Sequence, residues 1–147
     1  MQVAICCDSR GEYEALEKIV MEYAQNKSCF MAPQWLSQFE EFRRVITLRR
    51  FPIVILACED IDNQELAVSV RDLSGKSQII WIGEDKRFGL SSYRVEAADF
   101  LLRPVTKEAV WRSLDRCMEN LHKNPAGILA EISADTPAEK SGGEDRN

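Results

Sequence analysis

Residues 96–105 read EAADFLLRPV. Within this stretch the apolar run Phe100 to Leu102 is followed by the basic residue Arg103 and by Pro104. The run predicts a short strand from Phe100 to Leu102. Thr106 follows, and its hydroxyl can cap a helix that continues through His122. The inner face of that helix repeats apolar residues at helical spacing, namely Val110, Leu114, Cys117 and Leu121. This strand and helix are the last of several such pairs along the chain.

Four further strand and helix pairs are predicted upstream of this segment. Apolar, β-rich runs predict strands at Gln2 to Cys6, Cys29 to Ala32, Ile53 to Ala57 and Gln78 to Ile82. Helical periodicity predicts helices at Glu12 to Gln25, Leu36 to Leu48, Asp62 or Asn63 to Leu73, and Phe88 to Val95. Five strands that alternate with five helices predict an α/β fold, a doubly wound five-stranded parallel sheet that is covered on both faces.

Composition and charge limit the classes of partner. Of the 147 residues, 45% are apolar and 29% are charged, as in an ordinary globular domain. Residues 1–122 suffice for one core, whereas residues 123–147 are rich in proline, glycine and charged side chains and predict a disordered tail. A net charge of −5 argues against direct nucleic-acid binding and against anionic membranes. We expect no membrane span and no secretion signal, and therefore a cytoplasmic protein.

The cysteines give no sign of a metal site. The chain has one histidine, His122, and five scattered cysteines, which are Cys6, Cys7, Cys29, Cys58 and Cys117. No CxxC spacing is present, so a structural zinc site is not expected. Reduced thiols in a cytosolic protein fit this pattern. Nothing in the sequence indicates a cofactor.

Three segments resemble a known family of signalling domains. Residues 3–8, VAICCD, are similar to a first strand that reads roughly I-A-I-C-D-D. Residues 50–59, RFPIVILACE, are similar to a third strand of the form R-Y-D-L-V-F-L-D-I-E, and residues 93–105 to F-x-V-G-A-L-D-Y-L-L-K-P-V. The family is that of response-regulator receiver domains, and the resemblance is greatest to receivers that precede LytTR-type DNA-binding domains. It covers residues 1 to about 122 and implies the flavodoxin-like receiver fold.

The resemblance also implies a phosphorylation pocket at the strand ends. In that family two acidic residues after the first strand help to hold Mg²⁺, and an aspartate that closes the third strand accepts the phosphoryl group. A Thr or Ser follows the fourth strand and a Lys follows the fifth. The matching positions here hold Cys7 and Asp8, then Ala57 (or Cys58 if the register shifts by one residue), then Gly83 and Arg103. Four of the five groups have therefore changed.

These replacements remove the chemistry that such a pocket needs. A thiol is a poor ligand for Mg²⁺, which leaves Asp8 as a residual metal candidate. Neither Ala57 nor Cys58 can form an aspartyl phosphate. A register shifted by two residues would place Glu59 at the acceptor position, with Asp60 one residue further on. Phosphoryl transfer relies on metal ions and positioned charges, so we expect neither an enzyme nor a conventional phosphoacceptor.

The conformational switch implied by the resemblance is altered as well. Phe100 matches the aromatic residue that follows an inward movement of the Thr or Ser in receivers, but Gly83 has no side chain to transmit that movement. Tyr93 and Trp111 are candidate contacts on the face formed by the fourth helix, fifth strand and fifth helix. We therefore predict a phosphorylation-independent pseudo-receiver that binds a protein through this face, as a homodimer or heterodimer, in two-component or transcriptional signalling.

Two alternatives stay open. The first is a receiver that is phosphorylated at an unconventional residue. The second is a thiol-based redox sensor that uses Cys7 and Cys58, because the first and third strands of such a sheet are neighbours. Against the second stands the general expectation that buried thiols are unreactive.

Overall fold

The computed structural model describes residues 1–37 and 39–123, in which five strands alternate with five α-helices. In chain order they are β1 (Gln2–Cys7), α1 (Arg10–Asn26), β2 (Ala32–Leu36), α2 (Phe39–Leu48), β3 (Ile53–Ala57), α3 (Asp60–Leu73), β4 (Gln78–Gly83), α4 (Gly89–Arg94), β5 (Asp99–Leu102) and α5 (Lys107–His122). A short 3₁₀ turn, Lys86–Phe88, precedes α4. From residue 124 onward, the predicted disordered tail lies outside the described residues.

All neighbouring strands run parallel, in the order β2-β1-β3-β4-β5. The chain moves outward from β1 to β2, returns to the other side of β1 as β3, and then continues outward to β5. Between β1 and β3 the direction of winding reverses, and doubly wound sheets form a crevice there, at the carboxyl ends of their strands. The predicted five-stranded, flavodoxin-like sheet is confirmed.

Two apolar layers hold the sheet between its helices. One layer joins strand residues such as Ile5 and Ile55 to α1 and α5. The other joins Ala4, Val54 and Trp81 to α2 and α3. All five residues of β3 are buried, because this central strand is covered on both faces. Its sequence is therefore continuously apolar and easy to recognise.

The second strand and helix begin later than the sequence predicts. β2 spans Ala32–Leu36 rather than Cys29 to Ala32, and α2 begins at Phe39 rather than at Leu36. Pairing with β1 sets these limits, since the whole of β2 lies in register with that strand. Pro33 interrupts the apolar pattern of β2, but proline is tolerated in an edge strand.

The start of α3 also differs from the prediction. The helix begins at Asp60, so the predicted start at Asp62 or Asn63 is wrong. Glu59 holds the cap position without a side-chain hydrogen bond. Asn63 lies inside the helix and is fully buried. Its side-chain amide forms hydrogen bonds with the backbone of Cys58 and Ile82 and does not cap the helix.

The elements at the end of the chain follow the prediction closely. α4 is shorter than the predicted Phe88 to Val95, because the 3₁₀ turn includes its first residue. β5 begins one residue earlier than predicted, at Asp99. Thr106 caps α5 as predicted, and its hydroxyl accepts a hydrogen bond from the Ala109 N–H at 3.1 Å.

The Asn63 side chain ties the turn after β3 to the end of β4. Its Oδ1 accepts from the Cys58 N–H at 2.9 Å, and its Nδ2 donates to the carbonyls of Cys58 at 3.2 Å and Ile82 at 2.9 Å. These backbone groups are shielded from water, so the side chain is what satisfies them. Asn63 therefore fixes the edge of the sheet at which the strands end.

Arg71 forms a second polar anchor at the other end of α3. Its guanidinium donates to the carbonyls of Val95 (2.9 Å), Ser74 (3.2 Å), Ser77 (2.9 Å) and Glu96 (3.4 Å). Glu96 has a left-handed backbone with φ of 58°, typical of a tight turn. One side chain thus joins the α3–β4 loop to the α4–β5 turn.

Replacing Asn63 by alanine would leave buried backbone groups without partners. Each such group costs about 1–3 kcal/mol, so for Asn63→Ala we expect the free energy of unfolding to fall by roughly 3 kcal/mol in urea denaturation. Asn120→Ala, at an exposed asparagine of α5, is the matched control and should cost less than about 0.5 kcal/mol. Equal losses in the two variants would contradict the role of Asn63.

Candidate functional site

An open cleft of about 500 Å³ lies at the carboxyl ends of the central strands. Its acidic lining residues are Asp8, Glu12, Glu59, Asp60, Glu84 and Asp85. Among the described residues that line it, Arg103 supplies the positive charge. The cleft is the crevice expected at the switch point of a doubly wound sheet.

The structure brings most of the predicted pocket residues to this edge. Ala57 is the last residue of β3 and lies opposite Cys7 of β1. Cys7 is fully buried and belongs to the layer beneath α1 and α5, whereas the next residue, Asp8, is exposed in the cleft. Cys58 lies one residue beyond β3, in the cleft wall. The thiol of Cys7 is therefore turned away from the cleft that the other positions line.

Arg103 is held by a carboxylate from α1. Its Nε donates to Glu12 Oε2 at 2.9 Å and its Nη2 to Glu12 Oε1 at 3.3 Å, a bidentate ion pair. Nη2 also donates to the carbonyl of Ala57 and, at 3.5 Å, to that of Cys58. The guanidinium therefore crosses the end of β3, and its charge is matched within the protein.

Asp60 also lines the cleft, where its carboxylate contacts residues at the end of β4 and just after it. Its Oδ1 accepts from the Trp81 indole N–H at 3.0 Å, and its Oδ2 accepts from the backbone N–H groups of Glu84 and Asp85, each at 3.0 Å. We call the space bounded by these three donors, in front of Gly83, the carboxylate seat. The one carboxylate therefore satisfies three N–H donors at once.

Gly83 makes the carboxylate seat possible. A Cβ at position 83 would lie 1.9 Å from Asp60 Oδ1 and 2.9 Å from Asp60 Cγ. Any other residue at this position would displace the carboxylate. Gly83 was expected to represent the loss of a hydroxyl, and the structure shows that its small size admits a side chain from α3.

Comparisons with known proteins identify the fold. No protein-family model matches the chain, and no curated protein matches its sequence. A response regulator from Thermotoga maritima aligns with a TM-score of 0.67 at 13% identity, over 80% of this chain and 97% of that chain. The response regulatory domain of mrkE from Klebsiella pneumoniae aligns with a TM-score of 0.67 at 14% identity, over 84% and 100% of the two chains.

A third solved structure agrees with these two. The non-phosphorylated HemR receiver domain from Leptospira biflexa has a TM-score of 0.66 at 16% identity, over 79% of this chain and 92% of that chain. The chain has the receiver fold. At such low identity the likeness concerns the fold alone.

Sequence reasoning missed Glu12 altogether, and it placed Asp60 near the acceptor position without predicting its role as an acceptor for the N–H groups around Gly83. Glu12 lies in the first turn of α1 and Asp60 in the first turn of α3. A carboxylate at the start of a helix is ordinarily explained by its favourable interaction with the helix dipole, so neither residue stands out in the sequence. A signal for Asp60 was present in the strand itself, because a tryptophan inside a buried strand needs an acceptor for its N–H. Trp81 is such a residue, and the helix after the neighbouring strand supplies the acceptor.

Phe100 contacts the ring that holds Asp60. Its ring lies 6.0 Å from that of Trp81 in an edge-on arrangement. Phe88, at the end of the 3₁₀ turn, lies 6.1 Å from the same indole. Trp81 therefore links the carboxylate seat to the aromatic residue of β5 and to the segment before α4.

Trp111 packs toward α1, so the prediction that it offers a contact together with Tyr93 is wrong, while the predicted face itself stays a prediction. Tyr93, on α4, has 79% of its surface exposed. Trp111 packs against α1, where its indole N–H donates to the Ile19 carbonyl at 3.3 Å and its ring meets Tyr23 edge-on at 5.6 Å. α1 and α5 cover one side of the sheet, and Phe88, next to α4, packs in the layer on the other side. Trp111 is a packing residue, and Tyr93 is accompanied by the exposed Leu90.

The predicted thiol pair is also wrong. Cys58 Sγ lies 3.6 Å from Cys6 Sγ, while the Cys7 thiol contacts the Ser9 carbonyl on the other side of the sheet. Adjacent strand residues point to opposite faces, so Cys6 and Cys7 cannot both reach the same partner. The pair that the structure brings together is Cys6 with Cys58.

Burial favours the protonated form of the Cys7, Cys58 and Cys117 thiols, because it raises their pKa. Burial raises the pKa of Cys7 to about 12, and the contact with Cys6 together with burial raises the pKa of Cys58 further. Burial also raises the pKa of Cys117. Since the thiolate is the reactive species, these groups are poor nucleophiles near neutral pH. Cys29 is the exposed cysteine.

Thiol labelling tests this assignment. At pH 8, a thiol with a pKa of about 12 is ionised to roughly one part in ten thousand. We expect one thiol, Cys29, to react rapidly with a disulfide reagent in the native chain, and all five to react after unfolding. Cys29→Ser should remove the rapid phase. A rapid phase that persists in Cys29→Ser and maps to Cys58 would instead support a thiol sensor.

None of the histidine, cysteine and acidic side chains of the described residues are grouped in threes in a way that could hold a metal ion. No helix formed by these residues has the length and apolar character needed to cross a membrane.

Proposed function

We propose that this chain is a phosphorylation-independent pseudo-receiver, a protein-binding module with the receiver fold that does not depend on an aspartyl phosphate. The observation that carries the proposal is the occupied cleft. Ala57 ends β3 without a reactive group, and the space near it holds the Asp60 carboxylate and the paired Arg103. No enzymatic role is proposed, and the module would act in the cytoplasm in two-component or transcriptional signalling.

Electrostatics support this proposal. A phosphoryl group in the cleft would meet the acidic side chains around it without the free cation that normally offsets its charge. Arg103 is engaged by Glu12, and the N–H groups after β4 are engaged by Asp60. Mg²⁺ requires several well-placed oxygen ligands, and Cys7 supplies none. Asp8 alone is a weak substitute.

The surface around Tyr93 is the proposed binding face. Leu90 and Tyr93 of α4 and Leu102 of β5 are large apolar side chains with 59%, 79% and 44% of their surface exposed. Exposed tyrosine and leucine on adjacent elements are typical of a protein contact. A second copy of the chain or a different protein would cover them, on the α4 and β5 side, and Trp111 takes no part.

Acetyl phosphate or beryllofluoride with Mg²⁺ tests the central claim. We expect no mass gain of a phosphoryl group with the first and no change in amide chemical shifts with the second. Phosphorylation that maps to Glu59 or Asp60, the carboxylates nearest the end of β3, would contradict the proposal and support the alternative of an unconventional phosphoacceptor. Glu59→Gln and Asp60→Asn, tested separately, would then distinguish the two residues.

Sedimentation equilibrium tests the binding face. If the chain is a homodimer, Tyr93→Ser should weaken self-association by about thirtyfold or more, because a central aromatic hot spot contributes about 2 kcal/mol or more. Phe30→Ser is the matched control, since Phe30 is also highly exposed but lies beside the start of β1. Equal weakening in both variants would exclude the proposed face. A wild-type chain that stays monomeric would exclude the homodimer and leave the heterodimer.

A further inference from the structure

The position of α4 is set at its two ends rather than by its own core contacts. α4 has six residues, and the one that is buried is a serine, Ser92. Its exposed apolar side chains, Leu90 and Tyr93, point to solvent and do not anchor it. Beyond its C-terminal end, the turn is held by Arg71 through the carbonyls of Val95 and Glu96.

The other end of α4 is held through the carboxylate seat. Two of the three donors to Asp60 are the backbone N–H groups of Glu84 and Asp85, the first residues after β4. Asp85 then starts the 3₁₀ turn by accepting from the Arg87 N–H at 2.9 Å. Phe88 ends that turn next to the ring of Trp81, and α4 begins at the following residue. An unbroken series of contacts therefore runs from Asp60 to α4.

We infer that Asp60 is a latch: when its carboxylate occupies the seat, residues 84–88 and α4 hold one conformation, and when it leaves the seat they are released. The seated state is held by three hydrogen bonds to one carboxylate, so a movement of this one side chain would break all three. The inference concerns the fold itself and does not depend on α4 binding a partner.

A group that occupies the carboxylate seat has to be covalently attached to the chain near it, as the Asp60 carboxylate is. Glu59, Glu84 and Asp85 line the same cleft, so a free anion would be repelled on approach. Asp60 overcomes this repulsion because its backbone fixes it beside the donors, which gives it a high effective concentration there. It also lies in the first turn of α3, where the helix dipole favours a carboxylate.

The three tryptophans allow the latch to be observed directly. Each indole N–H donates to a different acceptor: Trp35 to the Cys7 carbonyl, Trp81 to Asp60 and Trp111 to the Ile19 carbonyl. In ¹H–¹⁵N spectra of Asp60→Ala, we expect the Trp81 indole signal to move and the other two to stay. The Glu84 and Asp85 amides should exchange with solvent about tenfold faster or more, and the Leu90 and Tyr93 amides should shift.

Two further variants separate the latch from general destabilisation. Glu59→Gln removes a negative charge from the same cleft without touching the seat, and it should leave the Trp81 signal and the exchange rates unchanged. Asp60→Asn keeps the size of the side chain but cannot accept from all three donors, so at least one set of donor signals should change. This variant serves if Asp60→Ala does not fold.

A double-mutant cycle provides the sharpest test. Gly83→Ala should expel Asp60, because the new Cβ would fall on its carboxylate, and should reproduce the spectrum of Asp60→Ala. In the Asp60→Ala background, Gly83→Ala should add little further change. Fully additive effects of the two substitutions would overturn the inference. So would unchanged exchange at Glu84 and Asp85, or unchanged α4 amides, in Asp60→Ala.

Discussion

Parallel strands deliver their carboxyl ends to one edge of a sheet, and the polar groups that collect there must satisfy one another. Among the described residues that line the cleft at this edge, six are acidic and Arg103 is the cation. Glu12 pairs with that cation, and Asp60 takes the N–H donors that follow β4. The cation and these N–H donors are thereby occupied by side chains of the protein itself, while the lining as a whole stays acidic. The place taken by Asp60 depends on Gly83, because a Cβ at that position would overlap the carboxylate.

The sheet separates two groups of aromatic residues that have different tasks. On one side Trp111 and Tyr23 fasten α5 to α1, with Tyr23 also donating to Asp115 at 2.7 Å. On the other side Trp81 and Phe100 pack beneath the segment that leads to α4. The first group stabilises the core between two helices. The second lies next to the carboxylate seat and so connects the cleft with the exposed surface.

The parts of the fold that could be predicted are those that a local pattern determines. The run from Ile53 to Ala57 defines β3 because both faces of that strand are buried, and the Thr106 hydroxyl caps α5 with a donor three residues away. The limits of β2 depend instead on pairing with β1, more than twenty residues earlier in the chain. Asn63 was misread for the same reason, since one of its partners is the Ile82 carbonyl.

In the candidate site, too, local features could be predicted and contacts between distant segments could not. Which residues stand at the strand ends could be predicted from the sequence, including Asp8, Ala57, Gly83 and Arg103. What those residues contact could not, because the contacts join segments that are distant in the chain. At Gly83 the sequence shows only that a side chain is absent, whereas the three-dimensional arrangement shows that the Asp60 carboxylate occupies that space.

The close approach at Gly83 constrains how this protein can change over generations. A hydroxyl-bearing residue at position 83 is compatible with the backbone but not with Asp60 in its present place. A side chain at position 83 and the seated Asp60 carboxylate therefore exclude each other. Substitutions at these two positions are coupled, and the effect of a change at position 83 depends on which residue stands at position 60.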